Sequence, residues 1–343
     1  PTTKAQYFDA ERLAHPLPPQ LFSHNDQQDQ WHSLRGRFLL TSGWAGRVAD
    51  VMAEQTGAQR VPLNISLFGQ SLFQSSVTVD PYVMGVDGVN SFQGLEVNPQ
   101  LDPYGYQYNL GRRQGVERVL GDVLADRKRT YYERGYARVH DRALRYVDRV
   151  EKALSGAREF QALPNTAGKG KPLVRALRTV ARMIDQRRTL SMSRQIFFVS
   201  LGGFDTHDNQ LVDHPKLLAE LSSSVKAFFD AMAEIGMSEQ VTLFTQSDFA
   251  RTLTSNGDGS DHAWGGTQLV VGGAVRGGRI YGDYPVLEMG GGLEIGGGIM
   301  IPTISSDQYA ATLASWFGVA PSNLPAVAPN VVNFSTADLG FMG

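Results

Sequence analysis

Hydrophobic residues follow two patterns along the chain, one typical of amphipathic helices and one of buried strands. Apolar residues at a spacing of three and four predict helices at residues 44–57, 173–190, 214–235 and 307–317, and a candidate N-cap at Ser23 predicts a helix at 24–34. Continuous apolar runs at 195–201, 241–245 and 268–271 predict strands that are covered on both faces. Because helices separate the strands, we expect an α/β fold with a mostly parallel sheet flanked by helices.

An arginine-rich region interrupts this pattern. Two apolar stripes, from Val116 to Leu124 and from Tyr136 to Leu154, predict two helices or one helix kinked near Gly135. The remaining positions carry arginines and acids four residues apart, which is typical of a solvated helix face. An RNA-binding surface is the alternative interpretation. We interpret residues 103–190 as a largely helical insertion in a single domain that covers residues 1–343.

Composition and charge narrow the function classes. The 343 residues are 42% hydrophobic and 19% charged, as in a folded globular protein. A formal net charge of −2 disfavours nucleic acid as a partner. The chain has no cysteine, so a metal ion would have to be bound by His, Asp or Glu. There is no uninterrupted apolar run of eighteen residues, so we expect no transmembrane segment.

Polar side chains follow the predicted strand at 195–201. The loop Gly-Gly-Phe-Asp-Thr-His at 202–207 places the carboxylate of Asp205 two residues before the imidazole of His207. Such a pair can supply half of a divalent metal site. The alternative is an ordinary turn in which the Asp is a cap and the His makes a hydrogen bond.

A second polar cluster follows the next predicted strand. Asp248 and Arg251 come directly after residues 241–245, and Asp261 and His262 follow a short loop rich in Gly, Asn and Ser. Functional groups in α/β sheets gather beyond the carboxyl ends of the strands, so we expect the two clusters to share one site. An arginine beside a metal commonly binds a tetrahedral anion, because its planar guanidinium pairs with two oxygens at once.

Ser23 stands at the predicted start of the helix at 24–34. It is a candidate N-cap, with Asp26 at the third helical position as a weaker form of a capping box. It is also a candidate nucleophile, because a helix N-terminus and a nearby metal could activate its hydroxyl.

Several motifs resemble those of the bacterial domain-of-unknown-function family 1501. They are Gly-Gly-Phe-Asp-Thr-His at 202–207, Ser-Asp-Phe-Ala-Arg-Thr at 247–252, Ser-Asp-His-Ala-Trp-Gly at 260–265, Gly-Gly-Ala-Val-Arg-Gly-Gly at 272–278, Asp-Gln-Tyr-Ala-Ala-Thr-Leu at 307–313, and segments at 21–28 and 333–342. This resemblance covers essentially the whole chain. It implies the alkaline phosphatase and sulfatase superfamily, in which metal ions lie at the carboxyl edge of a mixed sheet. Many members carry a twin-arginine export signal, which implies a periplasmic or secreted protein.

The resemblance also implies roles for individual residues. The metal ligands would be Asp205, His207, Asp261 and His262, with Asp248 as a further ligand or a neighbouring acid and Ser23 as the nucleophile. The ion would be Zn, Mn, Ca or Mg. In such sites the metal polarises the ester and stabilises the attacking and leaving oxygens.

Two function hypotheses follow. The first is an exported metal-dependent hydrolase-like protein that acts on phosphate or sulfate esters. The second is a secreted or cell-surface binding or assembly protein that retains the fold without catalysis, as a homo-oligomer or with a protein partner. Two differences from the family motivate the second hypothesis. The family begins with an upstream strand bearing an Asp-Gly motif, and it has a histidine after the Asp-His motif where this chain has Gly265 to Gln268.

Overall fold

The structure, a computed structural model, describes residues 2–9, 16–36, 41–56, 61–89, 106–126, 129–166 and 169–343. The α-helices of these residues are α1 (Lys4–Phe8), α2 (His24–Ser33), α3 (Trp44–Thr56), α4 (Tyr106–Ala125), α5 (Tyr131–Ser155), α6 (Pro172–Asp185), α7 (Gln210–Glu234), α8 (Ser306–Phe317) and α9 (Leu324–Val327). The strands are β1 (Asn64–Ser66), β2 (Tyr82–Val83), β3 (Ile196–Phe198), β4 (Thr242–Phe244), β5 (Ala250–Ser255), β6 (Ser260–Ala263) and β7 (Val270–Gly272).

The strands form a small parallel sheet and two antiparallel pairs. β1 lies between β2 and β3 and runs parallel to both. β4 pairs with β7, and β5 pairs with β6, each in antiparallel orientation. A mixed α/β fold is therefore confirmed, but the apolar run at 268–271 forms an antiparallel strand. The reason is that the described chain between β4 and β7 contains no helix, and a parallel return needs a long crossover connection.

Alternate residues of the strands pack into two hydrophobic clusters. Ile65 and Phe197 belong to a first cluster, which they share with α5, α6 and α7. Leu63 and Phe198 belong to a second cluster, which they share with α3, α8 and α9. Because successive side chains of a strand point to opposite faces, the two clusters lie on opposite faces of the strand layer.

The arginine-rich region contains two separate helices. α4 ends at Ala125 and α5 begins at Tyr131, so the two helices are separated before Gly135 is reached. Gly135, where the sequence allowed a kink, lies inside α5. Thr130 and Glu133 form a capping box that fixes this start, because each side chain accepts a hydrogen bond from the backbone of the other. α6 lies in the same predicted insertion, yet it packs into the first hydrophobic cluster.

The β5–β6 hairpin approaches the loop that follows β3 very closely. A Cβ atom at Gly259 would lie 2.2 Å from the carbonyl oxygen of Thr206 and 2.4 Å from that of His207. A residue with a side chain at position 259 would push the hairpin away from the loop. Glycine at this position therefore brings the two polar clusters of the sequence together. We did not predict these strands, because their polar residues lack an apolar run.

No helix in the described part of the chain combines the length and apolar character needed to cross a membrane.

Arg47 on α3 connects distant parts of the chain. Arg47 is 5% exposed, and its guanidinium donates hydrogen bonds to the carbonyl oxygens of Ser33, Ser42 and Val327. Burial, together with the charge of Arg35, lowers the pKa of Arg47 to about 10, so the group is still charged at neutral pH.

We expect Arg47→Met to lower the free energy of unfolding by roughly 3 kcal/mol, because it leaves buried carbonyl groups without a donor. Urea denaturation followed by circular dichroism measures the change. The control is Arg142→Met, since Arg142 pairs with Asp80 at the exposed surface and such pairs contribute about 1 kcal/mol or less. Equal effects of the two variants would contradict this role for Arg47.

Candidate metal centre

Three segments that are distant in sequence bring polar side chains to one site. The loop after β3 supplies Asp205 and His207, the β5–β6 hairpin supplies Arg251 and His262, and the first turn of α2 supplies His24. The register of the β5–β6 hairpin places Arg251 directly opposite His262, which explains why these two residues lie side by side. Asp205, His207, Arg251 and His262, which the sequence predicted to share a site, do lie together.

Three atoms converge at the centre of this site. His207 Nε2 lies 2.9 Å from His262 Nε2. The Oδ1 atom of Asp205 lies 3.0 Å from His207 Nε2 and 2.9 Å from His262 Nε2. The three atoms therefore form a nearly equilateral triangle.

The outer ring nitrogens show where the imidazole protons lie. His262 Nδ1 is 2.7 Å from the carbonyl oxygen of Phe22, and His207 Nδ1 is 3.1 Å from Asp261 Oδ1. A carbonyl or a carboxylate oxygen can only accept a hydrogen bond, so each Nδ1 carries a proton and donates it. In a neutral imidazole the Nε2 atom then holds a lone pair.

With neutral rings, the triangle consists of three lone-pair atoms that face one another. This arrangement is repulsive unless a cation lies among the atoms or one ring takes a second proton. Metal-binding histidines commonly donate their other N–H to a carboxylate or a carbonyl, as His207 and His262 do here. Imidazole and carboxylate donors suit Zn or Mn, whereas Ca and Mg prefer oxygen ligands alone. The residues present therefore fit a divalent transition metal.

Arg251 holds Asp205 in place. Its Nη1 donates to Asp205 Oδ1 at 2.8 Å, and its remaining donors contact the Ser260 hydroxyl and carbonyl oxygens. Burial raises the pKa of Asp205, but its contacts with His24, His262 and the Arg251 guanidinium outweigh burial and hold the pKa well below its usual range. The guanidinium contacts the protein itself, so the anion-binding role that we expected for Arg251 stays a prediction.

His24 is a site residue that the sequence did not predict as a ligand. Its Nε2 lies 3.0 Å from Asp205 Oδ2, and its Nδ1 lies 3.4 Å from Asp248 Oδ2. Gln28, one helical turn later, donates to the same oxygen of Asp248 at 2.9 Å. Burial lowers the pKa of His24, but the two carboxylates outweigh burial and raise it above its ordinary value. His24, Asp205 and His262 also form a group whose ligand atoms lie within 4.8 Å of one another.

The remaining predicted residues lie around the triangle. Asp261 lies behind His207 and orients its ring, whereas we expected it to be a ligand. Asp248 contacts the site through His24. Ser23 occupies the N-cap position of α2, but its hydroxyl donates to Asp26 Oδ2 at 2.7 Å and accepts no backbone hydrogen bond. Its role as a nucleophile stays a prediction.

Three further residues support the site, and the sequence motifs gave no reason to single them out. The ring of Phe249 stacks on His262 at 3.7 Å between centroids and also meets the edge of His24 at 4.6 Å. Asn256 in the hairpin turn donates to Asp261 Oδ1 at 3.2 Å. Phe22, whose carbonyl orients His262, has a φ of 81°, which non-glycine residues rarely adopt.

A family model described as "Protein of unknown function (DUF1501)" matches residues 12–295. The chain belongs to this family. No curated protein and no solved structure matches the chain. The region matched by the DUF1501 model includes the start of α2, the loop after β3 and the β5–β6 hairpin. The whole candidate site therefore lies within the part of the chain that the family shares.

We expect Asp205→Asn to lower the pKa of His24 in chelator-treated protein, because it removes one of the carboxylates that favour the imidazolium form. NMR titration of the His24 ring measures this pKa. Asp261→Asn is the matched control, since Asp261 contacts His207 and not His24. An unchanged pKa in Asp205→Asn would contradict the contact between His24 and Asp205.

Proposed function

We propose that this DUF1501 protein is an exported, metal-dependent hydrolase-like enzyme that acts on phosphate or sulfate esters. The observation that carries the proposal is the convergence of three lone-pair atoms from His207, His262 and Asp205 within 3.0 Å. Two arguments by analogy support the rest of the proposal, which is the export of the protein and its action on esters. The motifs resemble the alkaline phosphatase and sulfatase superfamily, and the site lies where chains leave strands β3 and β4.

The metal ion would be held by His207, His262 and Asp205, with His24 beside them. A bound divalent ion would polarise the ester and stabilise developing negative charge. The neighbouring residues of the chain orient the side chains that would hold the ion. Asp261 and the carbonyl of Phe22 fix the two imidazole rings, and Arg251 fixes the carboxylate.

Ser23 is the proposed nucleophile. It precedes His24, so it lies next to the candidate ligands in sequence, and it is partly exposed. Its hydroxyl already donates to Asp26 Oδ2 at 2.7 Å. Asp26 would therefore accept the proton when Ser23 Oγ attacks the phosphorus or sulfur atom of an ester. The bond from that atom to the ester oxygen would break, and the alcohol would leave after taking a proton from water. Water would then hydrolyse the ester formed on Ser23 and restore its hydroxyl.

A second candidate function is binding or assembly without catalysis. The observation that favours it is the position of Arg251, whose guanidinium contacts Asp205 and Ser260. A site that binds a metal but lacks a free arginine for the anion would serve recognition or stability. The experiments below separate the two functions.

We expect the protein purified without chelator to contain about one divalent ion per chain, and the double variant His207→Ala/His262→Ala to lose it. Removing two imidazoles leaves Asp205 as the one member of the triangle. Element-resolved mass spectrometry measures the metal content. His214→Ala is the control, because the described contact of His214 is with the ring of Phe204. Metal-free wild-type protein that also fails to bind added Zn or Mn would refute the metal centre.

We expect Asp261→Asn to weaken metal binding by roughly 10- to 100-fold, because it removes the carboxylate that orients His207. Isothermal titration calorimetry with Zn measures the affinity. Asp258→Asn in the same hairpin is the control, since the backbone carbonyl of Asp258 makes its contact with Gln210. An unchanged affinity in Asp261→Asn would contradict the role of the Asp261 carboxylate in orienting His207.

We expect the metal-loaded protein to hydrolyse at least one member of a panel of aryl phosphates, phosphodiesters and aryl sulfates. Ser23→Ala should lower kcat by roughly 100-fold or more while leaving the metal content unchanged, because it removes only the nucleophile. The control is Ser23→Thr, which keeps the hydroxyl. A wild-type protein that binds metal but stays inert on every ester would favour the binding function.

A further inference from the structure

His24 contacts the oxygen of Asp205 that does not face the other two histidines. Asp205 Oδ1 faces His207 and His262, whereas Asp205 Oδ2 lies 3.0 Å from His24 Nε2. The ring centroid of His262 is 4.9 Å from that of His24 and 4.7 Å from that of His207. The ring of His24 is therefore about as close to His262 as the ring of His207 is. One ligand atom each from His24, Asp205 and His262 lies within 4.8 Å of the other two.

The outer nitrogen of His24 has the same kind of partner as those of His207 and His262. His24 Nδ1 lies 3.4 Å from Asp248 Oδ2. The side-chain amide of Gln28 donates to the same oxygen at 2.9 Å, so Gln28 fixes the carboxylate beside the ring. A carboxylate oxygen accepts hydrogen bonds, so Nδ1 carries the proton of a neutral ring and Nε2 holds a lone pair. All three histidines thus turn Nε2 to the Asp205 carboxylate and Nδ1 to an acceptor, as metal-binding histidines do.

Asp205, His207 and His262 are carried by two elements that pack tightly together. The close approach at Gly259 joins the loop after β3 to the β5–β6 hairpin. Arg251 of the hairpin donates to the carboxylate of Asp205 in the loop. The fold therefore holds these three candidate ligands in a fixed arrangement.

His24 differs from these three residues because its backbone is fixed while its ring is held less tightly. The carbonyl of Phe22 accepts from His262 Nδ1, which fixes the backbone two residues before His24. The 3.4 Å contact of His24 Nδ1 is longer than the outer contacts of His262 and His207, which are 2.7 and 3.1 Å. The side chain of His24 is 43% exposed. The ring can therefore rotate towards solvent while Phe22 and α2 stay in place.

We propose that His24 is an exchangeable fourth ligand of the metal ion. In the resting protein His24 Nε2 completes a set of three imidazoles and the carboxylate of Asp205. When an anionic ester binds, the His24 ring rotates away and leaves its position to an oxygen of the substrate. Structural metal sites have four protein ligands and catalytic sites keep one position open, so rotation of His24 converts the first kind into the second. This inference rests on the proposed function, because the exchange requires an ester that binds the ion.

Metal binding tests whether His24 is a ligand. We expect His24→Ala to bind one Zn ion per chain at least roughly 10-fold more weakly than the wild type, since losing a ligand costs no less than losing an orienting partner. The cobalt-substituted wild type should show the intense visible absorption of a four-coordinate ion. His24→Ala should absorb more weakly, and added imidazole should restore the absorption, which also shows that the variant is folded.

The matched control for this measurement is His214→Ala, because the described contact of His214 is with the ring of Phe204. It should leave the Zn affinity and the cobalt spectrum unchanged. A Zn affinity and a cobalt spectrum that His24→Ala also leaves unchanged would overturn the proposal.

NMR of the histidine ring nitrogens in the zinc-loaded protein tests the exchange, with inorganic sulfate and inorganic phosphate as probes. Without either anion we expect the Nε2 signals of His24, His207 and His262 all to have the chemical shift of a metal-bound nitrogen. Added anion should move the His24 signal to that of a free ring and leave the other two bound. The signal of His214 is the internal reference for a ring without metal. A His24 signal that stays metal-bound at the highest concentration of both anions would overturn the exchange.

The outcomes separate this proposal from the proposed function. Protein that binds no Zn would refute the metal centre and the exchangeable ligand together. Protein that binds Zn through His207 and His262 but never through His24 would refute the exchangeable ligand alone. If the anions release His24 from the ion but every ester stays intact, the exchange is supported and the hydrolase function is refuted.

Discussion

The carboxylate of Asp205 is the point on which the candidate site depends. Its two oxygens contact His24, His207, His262 and Arg251, which come from three separate segments of the chain. These contacts hold the pKa of Asp205 well below its usual range, so the carboxylate is charged at neutral pH. A negative charge at this position explains how three imidazoles and a guanidinium can be gathered in one small volume.

Part of this architecture could be predicted from the sequence. Helical spacing of apolar residues located α3 and α8 to within about a turn, and the candidate N-cap at Ser23 located the start of α2. Continuous apolar runs located β3 and β4. β5 and β6 were missed because a pair of polar strands stabilised by side-chain contacts has no hydrophobic signature. The direction of β7 depended on the connection before it, which the sequence pattern does not specify.

The sequence predicted which residues lie at the site better than it predicted the role of each residue there. Asp205, His207 and His262 converge as expected, whereas Asp261 lies behind a histidine and Arg251 supports a carboxylate. Such differences amount to a few ångströms and follow from tertiary packing. Tertiary contacts also organise the glycine-rich residues 287–298, where the Glu294 carboxylate accepts hydrogen bonds from the backbone N–H groups of Gly290, Gly296 and Gly298.

The separation of the site residues along the chain has a consequence for metal acquisition. His24 is 181 positions from Asp205, and Phe22 is 240 positions from the ring that its carbonyl orients. The loop after β3 and the hairpin bring Asp205, His207 and His262 together. The site is complete only when the first turn of α2 adds His24 and the carbonyl of Phe22. A metal ion would be chosen at that moment from those present nearby. The compartment in which folding is completed, as much as the ligand set, would then decide which metal the protein carries.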